Sequence, residues 1–123
     1  MAKILVVDDD HEIQLLYQRL FNKEHTLVPA ENGLAGINSL DPSIELVILN
    51  FAMPSYNGRY FLEVLQTLPK SYHSIPIISV SAEDEAFVRK CYVDLTIKPS
   101  AYVERPNDIS ELPILFDKYL HQY

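Results

Sequence analysis

The chain has 123 residues, enough to bury one full core but not two. Hydrophobic residues make up 48% and charged residues 22%, a globular balance that excludes a disordered polar chain. A net charge of −7 argues against direct contact with nucleic-acid backbones or anionic membranes, and the single cysteine, Cys91, excludes an internal disulfide. The opening "MAKILVVDDD" has too short an apolar run for a leader or a membrane span, so a cytoplasmic domain is expected.

In chain order, Ile4-Leu5-Val6-Val7 is a continuous apolar run ending in acids, as expected of a strand buried on both faces. Ile13, Leu16, Tyr17 and Leu20 then repeat at i, i+3, i+4, i+7, with Phe21 beside them, and predict an amphipathic helix. Residues 26–30 read as a second strand, placed at a sheet edge because Pro29 has no N–H for a ladder. A short helix follows Asn32-Gly33, and residues 46–49 form the third strand. Phe61, Leu62, Leu65 and Leu68 mark a helix over 58–68, residues 76–80 the fourth strand, and residues 83–90 a brief helix. The pattern predicts a fifth strand over 93–97. A last helix starts near Ser110 and carries Leu112, Leu115, Phe116 and Tyr119, with Pro113 tolerated in its first turn.

Strands alternating with amphipathic helices imply a parallel sheet covered on both faces. Residues 1–123 are thus expected to form one α/β domain, a flavodoxin-like doubly wound sheet of order 2-1-3-4-5. Ligands of such sheets gather beyond the C-terminal strand ends. Those ends carry Asp8-Asp9-Asp10, Asn50, Ser81 and Lys98-Pro99. Carboxylates suit a hard cation such as Mg²⁺, while a hydroxyl and an ammonium suit phosphoryl oxygens. Each residue also has a local use. Asp9 or Asp10 could cap the first helix, with Glu12 completing a capping box for Asp9. Asn50 could serve its own turn, Ser81 could cap the fourth helix, and Lys98 could be solvated. Their recurrence at four successive strand ends favours a shared site.

In order and spacing, "ILVVDDD" (4–10), "AENG" (30–33), "LNFAMPSYNG" (49–58), "PIISVSAE" (76–83) and "IKP" (97–99) resemble the receiver domain of two-component response regulators. The resemblance implies that Asp9 coordinates Mg²⁺ directly, that Asp8 assists through water, and that the Ala52 carbonyl is a further ligand. It places Asn50 at the phospho-acceptor aspartate, Ser81 at the Thr/Ser switch and Lys98 at the phosphate-contacting lysine. Three departures stand out. Asn50 is an amide, which is no nucleophile for an acyl phosphate, and its loss of charge leaves the cation site weak or empty. Leu95, three residues before Lys98, stands where the family usually has an aromatic. Ser81 and Lys98 are 17 positions apart, several fewer than usual, which implies a shortened fourth helix.

The reading that follows is a pseudo-receiver: a phosphorylation-independent signalling module, not an enzyme. It would bind a histidine kinase or a downstream target, as a monomer or weak dimer. The alternative is an ordinary Mg²⁺-dependent phospho-acceptor whose natural residue 50 is aspartate. A flavodoxin-like cofactor binder would need a phosphate loop after the first strand, where three acids stand instead.

Overall fold

The computed structural model describes residues 2–105 and 109–120. Five strands, β1 (Ala2–Val7), β2 (His25–Ala30), β3 (Leu46–Leu49), β4 (Ile77–Ser81) and β5 (Ala101–Glu104), form one parallel sheet of order β2-β1-β3-β4-β5. The helices are α1 (His11–Phe21), α2 (Gly33–Ser39), α3 (Gly58–Leu65), α4 (Glu85–Tyr92) and α5 (Leu112–Leu120), with 3₁₀ turns at Lys70–Tyr72 and Ile109–Glu111.

Alternation along each strand divides the core in two. Ile4, Val6, Leu46, Ile48, Ile78 and Val80 face α1 and α5, against Tyr17, Phe21 and Phe116. Leu5, Val7, Val47, Leu49 and Ile77 face the other layer, against Phe61, Leu62, Val88 and Tyr92. Central parallel strands need apolar side chains on both faces, which is why β1 and β3 read as unbroken apolar runs. Pro29 is exposed in β2, at the sheet edge where its missing N–H leaves no ladder bond unmade.

The helix faces differ in detail from the sequence pattern. The α1 stripe runs through Ile13, Tyr17 and Phe21, whereas Leu20 is 54% exposed. Asp10 caps this helix, its carboxylate accepting from the N–H groups of Glu12 and Ile13, so no box forms on Asp9. Helix α3 ends at Leu65 and leaves Leu68 in the turn beyond it.

The fifth strand is the substantive correction. Residues 93–97 are not a strand but the turn that leaves α4, and β5 begins at Ala101. Val93 and Leu95 donate their N–H groups back to the carbonyls of Lys90 and Tyr92. The Gln66 side-chain oxygen accepts the N–H groups of Thr96 and Ile97. Arg59 forks onto Asp94 at 2.8 and 2.9 Å and also donates to the Cys91 carbonyl. Side chains from α3 and its end therefore hold 93–97 as a turn, and Leu95 is buried as a core residue behind α4.

Candidate functional site

Three strand ends bring Asp8, Asn50 and Ser81 to one edge, but the fourth, that of β5, delivers Arg105 in place of Lys98. Ser100 N–H bonds the Ile77 carbonyl at the beginning of β4, so Lys98 precedes β5 at the opposite edge of the sheet, exposed and beside Asp94. Arg105 follows β5 directly, and its N–H donates to the Ser81 carbonyl at 2.9 Å. The lysine assignment is thereby corrected, and two of the three departures fall with it. Ser81 and Arg105 are 24 positions apart, so α4 is not shortened. Three residues before Arg105 stands Tyr102, an aromatic, so Leu95 never occupied that place.

Asp8 is 2% exposed. One of its oxygens accepts the Asp10 N–H at 2.9 Å, and the other accepts from Arg105 Nη1. Burial raises the Asp8 pKa, with the Asp10 N–H and the Arg105 charge opposing it. The Arg105 side chain is itself only 13% exposed. Three strand spacings of about 4.8 Å separate β1 from β5, so this pair bridges the edge past the ends of β3 and β4. The hydroxyl of Tyr17 is buried beside the pair, and burial pushes its pKa far up. Behind Asp8, the Gln14 amide donates to the carbonyls of Val6, Asp8 and Ala30, tying α1 to the ends of β1 and β2.

Asn50 is 4% exposed and continues the ladder through its N–H to the Val7 carbonyl. Its side-chain Nδ2 lies 3.0 Å from the Ala52 carbonyl oxygen and 3.4 Å from Asp9 Oδ1. Both partners are pure acceptors, which fixes the amide with its NH₂ toward them. Asp9 and the Ala52 carbonyl thus do converge, but upon an N–H donor. Ser81 Oγ donates to the Glu83 carboxylate and accepts the Glu83 N–H at 3.2 Å. Beside it, Arg89 stacks 4.1 Å from the Tyr102 ring centroid and pairs with Glu85 at 2.7 Å. Tyr102 is half-buried, and Glu104 accepts the Glu85 N–H at 2.8 Å.

The loop after Asn50 is tightly folded. Gly58 N–H returns to the Phe51 carbonyl, and Asn57 caps α3 by accepting the Tyr60 N–H. Ser55 has φ 67°, in the left-handed region, a conformation that costs a non-glycine residue about 1–2 kcal/mol. Ser55→Gly is therefore expected to raise Tm by about 2–4 °C in thermal unfolding, the greater freedom of the unfolded glycine taking back part of the gain. A fall in Tm would show that Ser55 is held there by more than its neighbours' geometry.

Sequence reasoning missed Arg105, Tyr102 and Glu83. The signal for the first two was "AYVERP", a short apolar run followed by an acid, a basic residue and proline, which the more β-branched "VDLTI" outcompeted. Among the described residues, no three His, Cys, Asp or Glu side chains are placed to hold one metal ion. No helix is long and apolar enough to cross a membrane, again among the described residues.

The comparisons with known proteins agree with the fold. The family model of the response regulator receiver domain matches residues 4–115. The transcriptional regulatory protein CpxR of Escherichia coli K12 is 32% identical over 113 residues, covering 91% of this chain and 46% of CpxR. The chain thus spans about half the length of the curated relatives it matches. Among solved structures, the response regulator TrrA of Thermotoga maritima, in complex with Mg²⁺-BeF, is 28% identical with a TM-score of 0.73, covering 97% of this chain and 99% of TrrA. The receiver domain of the sensor histidine kinase PA1611 of Pseudomonas aeruginosa carries a magnesium ion in its active-site cleft. It shares 15% identity with a TM-score of 0.83, over 97% of both chains, a likeness of fold alone. With the motif order, the sheet order and the family match in agreement, this chain belongs to the response regulator receiver domain family.

Proposed function

We propose that this receiver domain signals through protein contacts without taking up a phosphoryl group at residue 50. The observation that carries this reading is Asn50 itself. An aspartate there would be a charged oxygen nucleophile; the amide oxygen is uncharged, its nitrogen lone pair is delocalised, and its NH₂ faces Asp9 and Ala52. The partners are other signalling proteins, a histidine kinase or a downstream target, in keeping with the family. The net charge of −7 favours protein surfaces over nucleic-acid backbones as the binding surface of this domain.

Incubation with acetyl phosphate and Mg²⁺ is expected to leave the intact mass unchanged. Gain of a phosphoryl group would overturn the reading. The second reading, a Mg²⁺-dependent phospho-acceptor whose natural residue 50 is aspartate, has specific support. With Arg105 and Tyr102 in the basic and aromatic places, residue 50 is the main departure left. The codon for residue 50 in the natural gene separates the two readings directly.

A further inference from the structure

From the donors that converge on the acidic edge, we infer that Arg105 and the Asn50 amide stand in for the divalent cation, making this receiver edge cation-independent. The inference deepens the reading above and rests on it in one respect, the identity of residue 50. A Mg²⁺ site needs oxygen acceptors turned inward around a shared point, and an acceptor already held by a charged donor of the chain is taken from it. Here each protein acceptor that the family resemblance assigns to the cation already receives an N–H from the chain. Asp9 Oδ1 and the Ala52 carbonyl share Asn50 Nδ2, at 3.4 and 3.0 Å. Asp8 gives one oxygen to the Asp10 N–H and the other to the Arg105 guanidinium. The residues as arranged do not fit a divalent ion.

Arg105 is the stronger half of this closure. An amide can turn over and present its oxygen; a guanidinium cannot become an acceptor or lose its charge. Its pairing with Asp8 is nearly dry, at 13% and 2% side-chain exposure, so water screens little of its repulsion of a second cation. The Ser81 hydroxyl is engaged in the same way by Glu83. The donors Asn50, Ser81 and Arg105 thus each meet an acceptor within the chain.

The test is Mg²⁺ binding by calorimetry on the full chain, with Tm compared in Mg²⁺ and in EDTA. The wild type is expected to show no heat of binding and no Tm shift at millimolar Mg²⁺. Arg105→Met should be less stable in EDTA, recover part of its Tm in Mg²⁺, and bind the ion at least about tenfold more tightly, the factor that 1.4 kcal/mol of lost competition gives. Arg105→Met combined with Asp9→Asn should lose that response. A merely structural arginine would give the EDTA loss without the Mg²⁺ recovery. Where Arg105→Met does not fold, Arg105→Gln keeps a donor toward Asp8 while losing the charge, and a smaller but measurable gain in Mg²⁺ affinity is expected. Wild-type binding as tight as that of the variants, or no gain in any Arg105 variant, overturns the inference. A phosphoryl adduct that forms equally in EDTA would overturn only the reading of residue 50, whereas an adduct that requires Mg²⁺ would overturn this inference as well.

Discussion

Arg105→Ala is expected to lower the free energy of unfolding by about 3–5 kcal/mol, read from urea unfolding. The magnitude comes from what is left behind. Asp8 is 2% exposed, and without the guanidinium its carboxylate keeps only the Asp10 N–H against the cost of burial. Even with Arg105 present, burial outweighs both partners and the Asp8 pKa remains raised, so the pair is held at a cost. That cost is why breaking the pair and replacing it should differ. Asp8→Asn combined with Arg105→Met removes both charges and should recover most of the loss, since paired neutral side chains need no such compensation. The coupling in the cycle of Asp8→Asn, Arg105→Met and their combination should far exceed the 1 kcal/mol that bounds most exposed pairs. Exposed Arg89–Glu85 offers the internal comparison, and its removal should cost well under that bound. A loss of less than about 1 kcal/mol for Arg105→Ala would mean that the pair is wetter than its burial indicates.

The same arginine shows where the sequence is legible and where it is not. Asp8, Asn50 and Ser81 were readable because they follow strands buried on both faces, whose unbroken apolar runs have sharp ends. β5 lies at the sheet edge with only Val103 fully buried, so its pattern is weak. "VDLTI" alternates better and is richer in β-branched residues, but its backbone is claimed by distant groups. Gln66 takes two of its N–H groups, and Arg59 holds Asp94 and the preceding turn. These partners are about 30 residues away in the chain, beyond the reach of a local pattern. Misplacing the strand misassigned the basic and aromatic residues together, and created an apparent deletion in α4. The α1 stripe erred for a smaller reason. Leu16 and Leu20 fit the period as well as Tyr17 and Phe21, and packing against distant residues such as Phe116, which Phe21 meets edge-on, is not visible in a local pattern.

Gly58→Ala is the other change with a large expected effect, and its sign runs against helix propensity. Gly58 opens α3, where alanine would ordinarily gain up to about 1 kcal/mol. A Cβ there would lie 2.4 Å from the Tyr92 hydroxyl oxygen and 2.7 Å from the Asn50 carbonyl oxygen. The tyrosine is wholly buried in the α3–α4 core, and the carbonyl is backbone at the end of β3, so neither can move without moving the site. The expected net loss is about 2–3 kcal/mol in urea unfolding, with overpacking outweighing propensity. Tyr92→Phe in the same chain should relieve part of it by deleting the nearer oxygen, and the part that remains reports on the Asn50 carbonyl. Gly36→Ala is the control. Its Cβ would meet the Val7 and Phe61 side chains at 2.9 and 3.1 Å, with no non-local backbone among its nearest contacts, and a smaller loss is expected. If Gly58→Ala were instead stabilising, the loop from Asn50 to Gly58 would have to be loose enough to yield at the Asn50 carbonyl. The packing around one glycine and the backbone that delivers residue 50 to the site therefore stand or fall together.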